Sequence, residues 1–97
     1  MKIISVESDF DVDEISDMIN DIMSRWSVFL IKIRANHWVI YNYNREAIFE
    51  FNFNVDFNDL ETRIKLEDLR LNVIHHIESL RDDTTYISNL ITDDMII

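Results

Sequence analysis

Glycine, proline and cysteine are all absent from this 97-residue chain. Ordinary proteins carry about 7% glycine and about 5% proline, so each absence constrains the fold. Without glycine, backbone at positive φ must fall to other residues, and asparagine and aspartate tolerate it best. Asn36, Asn44 and Asn58 lie at breaks in the hydrophobic pattern and are the expected turn or cap positions. A glycine-rich phosphate cradle or dinucleotide fingerprint is excluded, and with it whole classes of nucleotide-using enzyme. Without cysteine there are no disulfides and no thiolate metal sites. No apolar run approaches the roughly 18 residues of a membrane span. The first residues, MKIISVESDF, turn acidic too early for a secretory signal, so the expected location is the cytoplasm.

Positive charge is the other scarcity. The formal charge is −10, and Lys2, Lys32 and Lys65 are the only lysines. Sixteen isoleucines against two alanines look like AT-rich coding, which should favour lysine; its rarity points to selection against cations. Such a charge opposes direct contact with nucleic acid or an anionic membrane and favours a basic protein partner, although acidity also serves plain solubility. An apolar share of 47% implies a folded globule rather than an acidic tail, with residues 1–97 forming one domain.

Residues 2–6 read as a short β-strand. From Ile15, the residues Met18, Ile19, Ile22, Met23 and Trp26 recur at helical spacing, predicting an amphipathic helix. Asp11 and Glu14, three apart at its start, fit a capping box. Residues 27–34 then alternate, with Phe29, Ile31 and Ile33 expected on one face and Val28 and Leu30 on the other. Strands are expected at 37–43 and at 47–55, the latter with Phe49, Phe51, Phe53 and Val55 inward. Residues 59–66 fit either a helix capped from Asn58 and Glu61 or a strand. From Glu67 a helix is predicted on Leu66, Leu69, Val73, Ile77 and Leu80, ended by residues 82–84 and followed by a short helix at 86–91. Leu71 and Ile74 lie off that stripe, so this helix buries two faces or offers one to a partner.

The expected fold is therefore α+β: an antiparallel three- to four-stranded sheet with helices packed on one face, in the order β-α-β-β-β-α-α. Its central α-β-β-β-α portion resembles the element order of a double-stranded-RNA-binding domain. The basic residues such a domain carries at its helix ends are missing, so the resemblance implies no RNA-binding function.

Few residues suggest chemistry. Asp9, Asp11 and Asp13 have the spacing of the first three ligands of a calcium loop. A glycine is then needed where Glu14 stands and a glutamate where Asn20 stands, so a helix start is the better reading. His75 and His76 point about 100° apart on a helix and do not share a metal; His76 is expected to border the core and His75 to be solvated. No metal, cofactor or catalytic residue is expected. Phe49, Phe51 and Phe53 read as core, while Trp38 and Tyr43 are the expected exposed anchors of an interface.

The acidic surface remains. Residues 6–23 contain seven carboxylates and no cation. Asp13, Glu14, Asp17 and Asp21 fall opposite the apolar stripe of the first helix, where a solvating face would normally mix signs. Glu67 and Asp68 add a second acidic pair. The expected function is a non-enzymatic inhibitor of a basic nucleic-acid-processing protein, with these carboxylates imitating phosphates. Small size, acidity and coding bias resemble phage anti-defence proteins such as anti-CRISPR and anti-restriction inhibitors. The alternatives are an immunity protein or antitoxin that neutralises a nuclease toxin, and a structural module forming a homodimer through the helix beginning at Glu67.

Overall fold

The computed structural model describes residues 1–80, which form β1 (Lys2–Glu7), α1 (Val12–Arg25), β2 (Val28–Ile33), β3 (His37–Asn42), β4 (Ala47–Asn54) and α2 (Leu60–Leu80). The helix stop at residues 82–84 and the short helix at 86–91 lie outside the described residues. The class is α+β, as expected, and residues 59–66 resolve into the N-terminal turns of a single long α2. Asp59 sets that start. Its carboxylate accepts from the Thr62 backbone N–H (3.3 Å) and hydroxyl (2.7 Å), while its carbonyl accepts from Arg63 N–H. The cap is thus Asp59 rather than Asn58, and its partner Thr62 is buried.

The four strands form one sheet in the order β1-β4-β3-β2. β2, β3 and β4 make the expected antiparallel meander, but β1 pairs with β4 in parallel, so the sheet is mixed rather than antiparallel. The connection explains this. α1 carries the chain from β1 to the far edge, where β2 starts in the same direction as β1. Two antiparallel steps then bring β4 back to lie beside β1, running the same way. A parallel pair needs a long crossover, and α1 provides it.

Register decides which side chains are inside. Trp38 pairs with Phe51 and Ile33, and Ile40 with Ile31 and Phe49, so these residues share the face that the helices cover. Against them pack Ile15, Ile19, Ile22 and Met23 of α1 and Leu66, Leu69, Val73 and Ile77 of α2. Two irregularities adjust the pattern. The register shifts between Val28 and Leu30, which puts Val28 in the core instead of beside Leu30 on the outer face. It shifts again between Ile40 and Tyr41, opposite Ile48. Each shift leaves one strand residue unpaired, which is how a β-bulge reverses the facing of what precedes it.

The β3–β4 turn corrects the expectation about positive φ. Arg45, with φ of 64°, is the one such residue among those described, and neither Asn36, Asn44 nor Asn58 adopts it. Asn42 imposes the geometry. Its carbonyl accepts from Arg45 N–H, its own N–H donates to the Glu46 carbonyl, and its side-chain oxygen accepts from Glu46 N–H at 3.0 Å. Three bonds closing on one asparagine outweigh the roughly 1–2 kcal/mol that a left-handed residue costs.

Candidate protein-binding surface

α1 is divided lengthwise. Ile15, Ile19, Ile22 and Met23 are locked into the core, and Asp13, Glu14, Asp17 and Asp21 are exposed on the opposite side. Asp11 is the N-cap: its backbone is extended, and its carboxylate accepts from Asp13 N–H at 2.9 Å. Glu14 makes no return bond to Asp11 among the described residues, so the cap is one-sided. Asp13 and Glu14 occupy the first turn, where they complement the partial positive charge of the helix end.

The carboxylates differ in what balances them. Asp21 meets Arg25 at 2.9 Å, correcting the expectation of a fully unrelieved row. This pair is exposed on both sides and is worth only about 0.2–0.5 kcal/mol. Among the described residues, Asp13, Glu14 and Asp17 have no cationic partner. From residue 13 to residue 21 the helix rises about 12 Å, with axial steps of about 1.5, 4.5 and 6 Å between the four carboxylates.

On α2, Glu67 is held by Arg70 in a two-pronged contact, Nε to Oε2 at 3.1 Å and a terminal nitrogen to Oε1. The Arg70 hydrogen bond holds the Glu67 carboxyl below its ordinary range and raises the Arg70 pKa. Glu67 is therefore a poor free anion, whereas Asp68 is exposed and has no ion-pair partner among the described residues. His75 stands in solvent, 4.0 Å from Glu78. His76 is half-buried, its Nε2 has no hydrogen-bond partner among the described residues, and burial pushes its pKa down. On the sheet face away from the helices, His37 lies 3.5 Å from Glu50. Among the described residues, no cluster of three or more histidine or acidic side chains is placed to hold a metal ion. No helix among them is long and apolar enough to cross a membrane.

The aromatic anchors need revision. Tyr43 is exposed as expected, but Trp38 is only 2% exposed, with its ring 5.1 Å from that of Phe53. Its register beside Phe51 points it inward. Trp26, which the helical stripe counted as core, is 52% exposed. The chain turns extended at Trp26, the C-cap, so the side chain leaves the helical stripe and rests edge-on against Phe49 at 5.8 Å. The signal was present in the sequence: strand alternation begins two residues later. α2 adds a second apolar surface, with Leu60, Ile64 and Leu71 exposed on the side opposite Leu69 and Val73.

No known protein family matches the chain, and comparison with curated proteins and with solved structures found no significant match.

Proposed function

We propose that this chain is a small acidic inhibitor, not an enzyme, acting in the cytoplasm on a basic nucleic-acid-processing protein. The observation that carries this reading is the exposed trio Asp13, Glu14 and Asp17, unpaired among the described residues, on a helix whose opposite side is fixed in the core. Like charges at these spacings cost a few tenths of a kcal/mol per pair, and folding gains nothing from Asp17 in return. A basic groove offers the compensation, with the row steering approach and adding charge-assisted bonds on docking. Trp26, nine residues and about 14 Å along from Asp17, is the apolar anchor nearest to hand on the same element. The acidic helix serves either a phage anti-defence or a nuclease-immunity setting.

The decisive experiment is capture of a partner from a nuclease-treated bacterial lysate, followed by titration of Asp13→Asn/Glu14→Gln/Asp17→Gln against the captured protein. Loss of at least tenfold in affinity is expected, since each bond to a charged group is worth about 1.5–3 kcal/mol, together with a shallower salt dependence. Equal affinity and salt dependence for the variant would sink the proposal. A second reading rests on Leu60, Ile64 and Leu71, whose exposure suits a homodimer interface. Light scattering decides it: a dimer that Leu71→Asp dissolves supports that reading, and a monomer removes it.

A further inference from the structure

One hollow gathers three arginines in an otherwise acidic chain. It lies where the end of β2 and the start of β3 meet the N-terminal half of α2, has a volume of about 230 Å³, and is lined by Arg34, Arg63, Arg70, Glu67, Trp38 and Phe57 among others. The sequence contains only six arginines, so half of them line this one site. An arginine in so acidic a protein is expected to sit on a carboxylate, and Arg70 does so with Glu67. Arg34 and Arg63 have no side-chain hydrogen bond or ion pair among the described residues.

The backbones of both are nevertheless held. Arg34 N–H donates to the His37 carbonyl at 2.9 Å, closing the β2–β3 turn, and Arg63 N–H donates to the Asp59 carbonyl in the first turn of α2. Two arginines with no side-chain partner among the described residues thus line a shared space, and a third is oriented by its carboxylate.

We propose that this hollow binds a phosphate group, either as the free ion or as a phosphomonoester. Three guanidiniums against one carboxylate leave two positive charges, matching the charge of about −1.5 to −2 on a phosphomonoester near neutral pH. Guanidinium forks meet phosphate oxygens two at a time, and phosphate offers three acceptor oxygens where a carboxylate offers two. The hollow is below the roughly 300–1,000 Å³ of a drug-sized pocket, so it suits a small anion or the end group of a larger molecule. Phe57, at its rim and 37% exposed, gives a flat group attached to the phosphate a surface to lie on. The general negative field does not forbid this, because charges farther than about 8 Å are largely screened at physiological ionic strength. The site is separate from the acidic row of α1 and does not depend on the inhibitor reading.

The test uses the full chain carrying Trp26→Phe, which leaves Trp38, in the wall of the hollow, as the sole tryptophan. Its fluorescence is followed on titration with inorganic phosphate, phenyl phosphate and benzoate at fixed ionic strength. A saturable response to phosphate and phenyl phosphate is expected. Arg34→Gln and Arg63→Gln should each weaken it about tenfold, and Arg25→Gln should leave it unchanged. Tighter binding of phenyl phosphate identifies a phosphomonoester as the preferred source, and equal binding identifies free phosphate. Absence of any saturable response overturns the proposal. So does a response that survives Arg34→Gln/Arg63→Gln in a variant with unchanged circular dichroism, or benzoate binding as well as phenyl phosphate.

Discussion

The two helices cover the same face of the same sheet, yet they are built on opposite plans. α1 is apolar on its inner side and almost wholly acidic on its outer side. α2 is apolar on both: Leu66, Leu69, Val73 and Ile77 face the core, while Leu60, Ile64 and Leu71 face away from it, mixed with Glu67, Asp68 and His75. Sheet packing accounts for the inner side of each helix and for neither outer side. The two outer surfaces differ in chemistry, one acidic and one apolar.

The sharpest way to break this contrast is to truncate leucines on the two sides of α2. Leu69, with no exposed surface, should cost about 2–5 kcal/mol as Leu69→Ala. Leu71, 40% exposed, should cost under about 1 kcal/mol as Leu71→Ala. Urea unfolding reads both. Equal costs would mean that Leu71 is covered in solution, and a protein-concentration series would then separate covering by a second copy from covering within the chain. Ile19→Ala on α1 supplies the reference for a fully buried residue on the one-sided helix.

A smaller effect separates the two helix starts. Asp11 caps α1 at the surface, so Asp11→Ala should cost about 1 kcal/mol. α2 begins on a buried threonine whose hydroxyl donates to Asp59, and Thr62→Val, which keeps the shape and removes that donor, should cost a similar 1 kcal/mol or so. Only the second change should move a neighbouring titration. The Thr62 hydroxyl is the foremost cause holding the Asp59 carboxyl below its ordinary range, so Thr62→Val should raise it. An NMR titration of the Asp59 side chain checks this; an unmoved value would show that the backbone N–H bonds carry the effect instead.

Where sequence patterns were read along a single element, they were largely sufficient. The α1 stripe, the alternation in β4 and the Asp11 cap each arise from residues within one turn or a few strand positions, where periodicity acts directly. The misreadings lie where a distant partner decides. β3 is apolar on both faces around Trp38, and only pairing with Phe51 points that ring inward. The bulge beside Val28 and the parallel place of β1 likewise depend on strands far along the chain. Arg45 takes the left-handed position because Asn42 closes the turn around it, which residue preference at Asn44 did not reveal. For the acidic surface, charge was legible and balance was not: Asp21 and Glu67 each have an arginine one helical turn ahead, and whether such a pair closes depends on rotamers. The cation hollow was illegible altogether, since Arg34 lies 29 positions before Arg63 and meets it only through folding.

The smallest expected effect concerns pH, and it again divides the helices. α1 has no histidine. α2 contains His76, half-buried, with no Nε2 partner among the described residues and its pKa pushed below 6.5 by burial. Below 6.5 the unfolded chain binds a proton that the folded chain resists, so stability must fall as pH drops through that value. Asp59 and Glu67 act in a lower window, because their folded pKa values lie below 3.8 and 4.5 and their contribution disappears only as those carboxyls protonate. Thermal unfolding between pH 7 and pH 5 should therefore show a modest decline in Tm that His76→Gln flattens, while His75→Gln, changed at an exposed neighbour, leaves it in place. An identical slope in the His76 variant would place the loss on other groups.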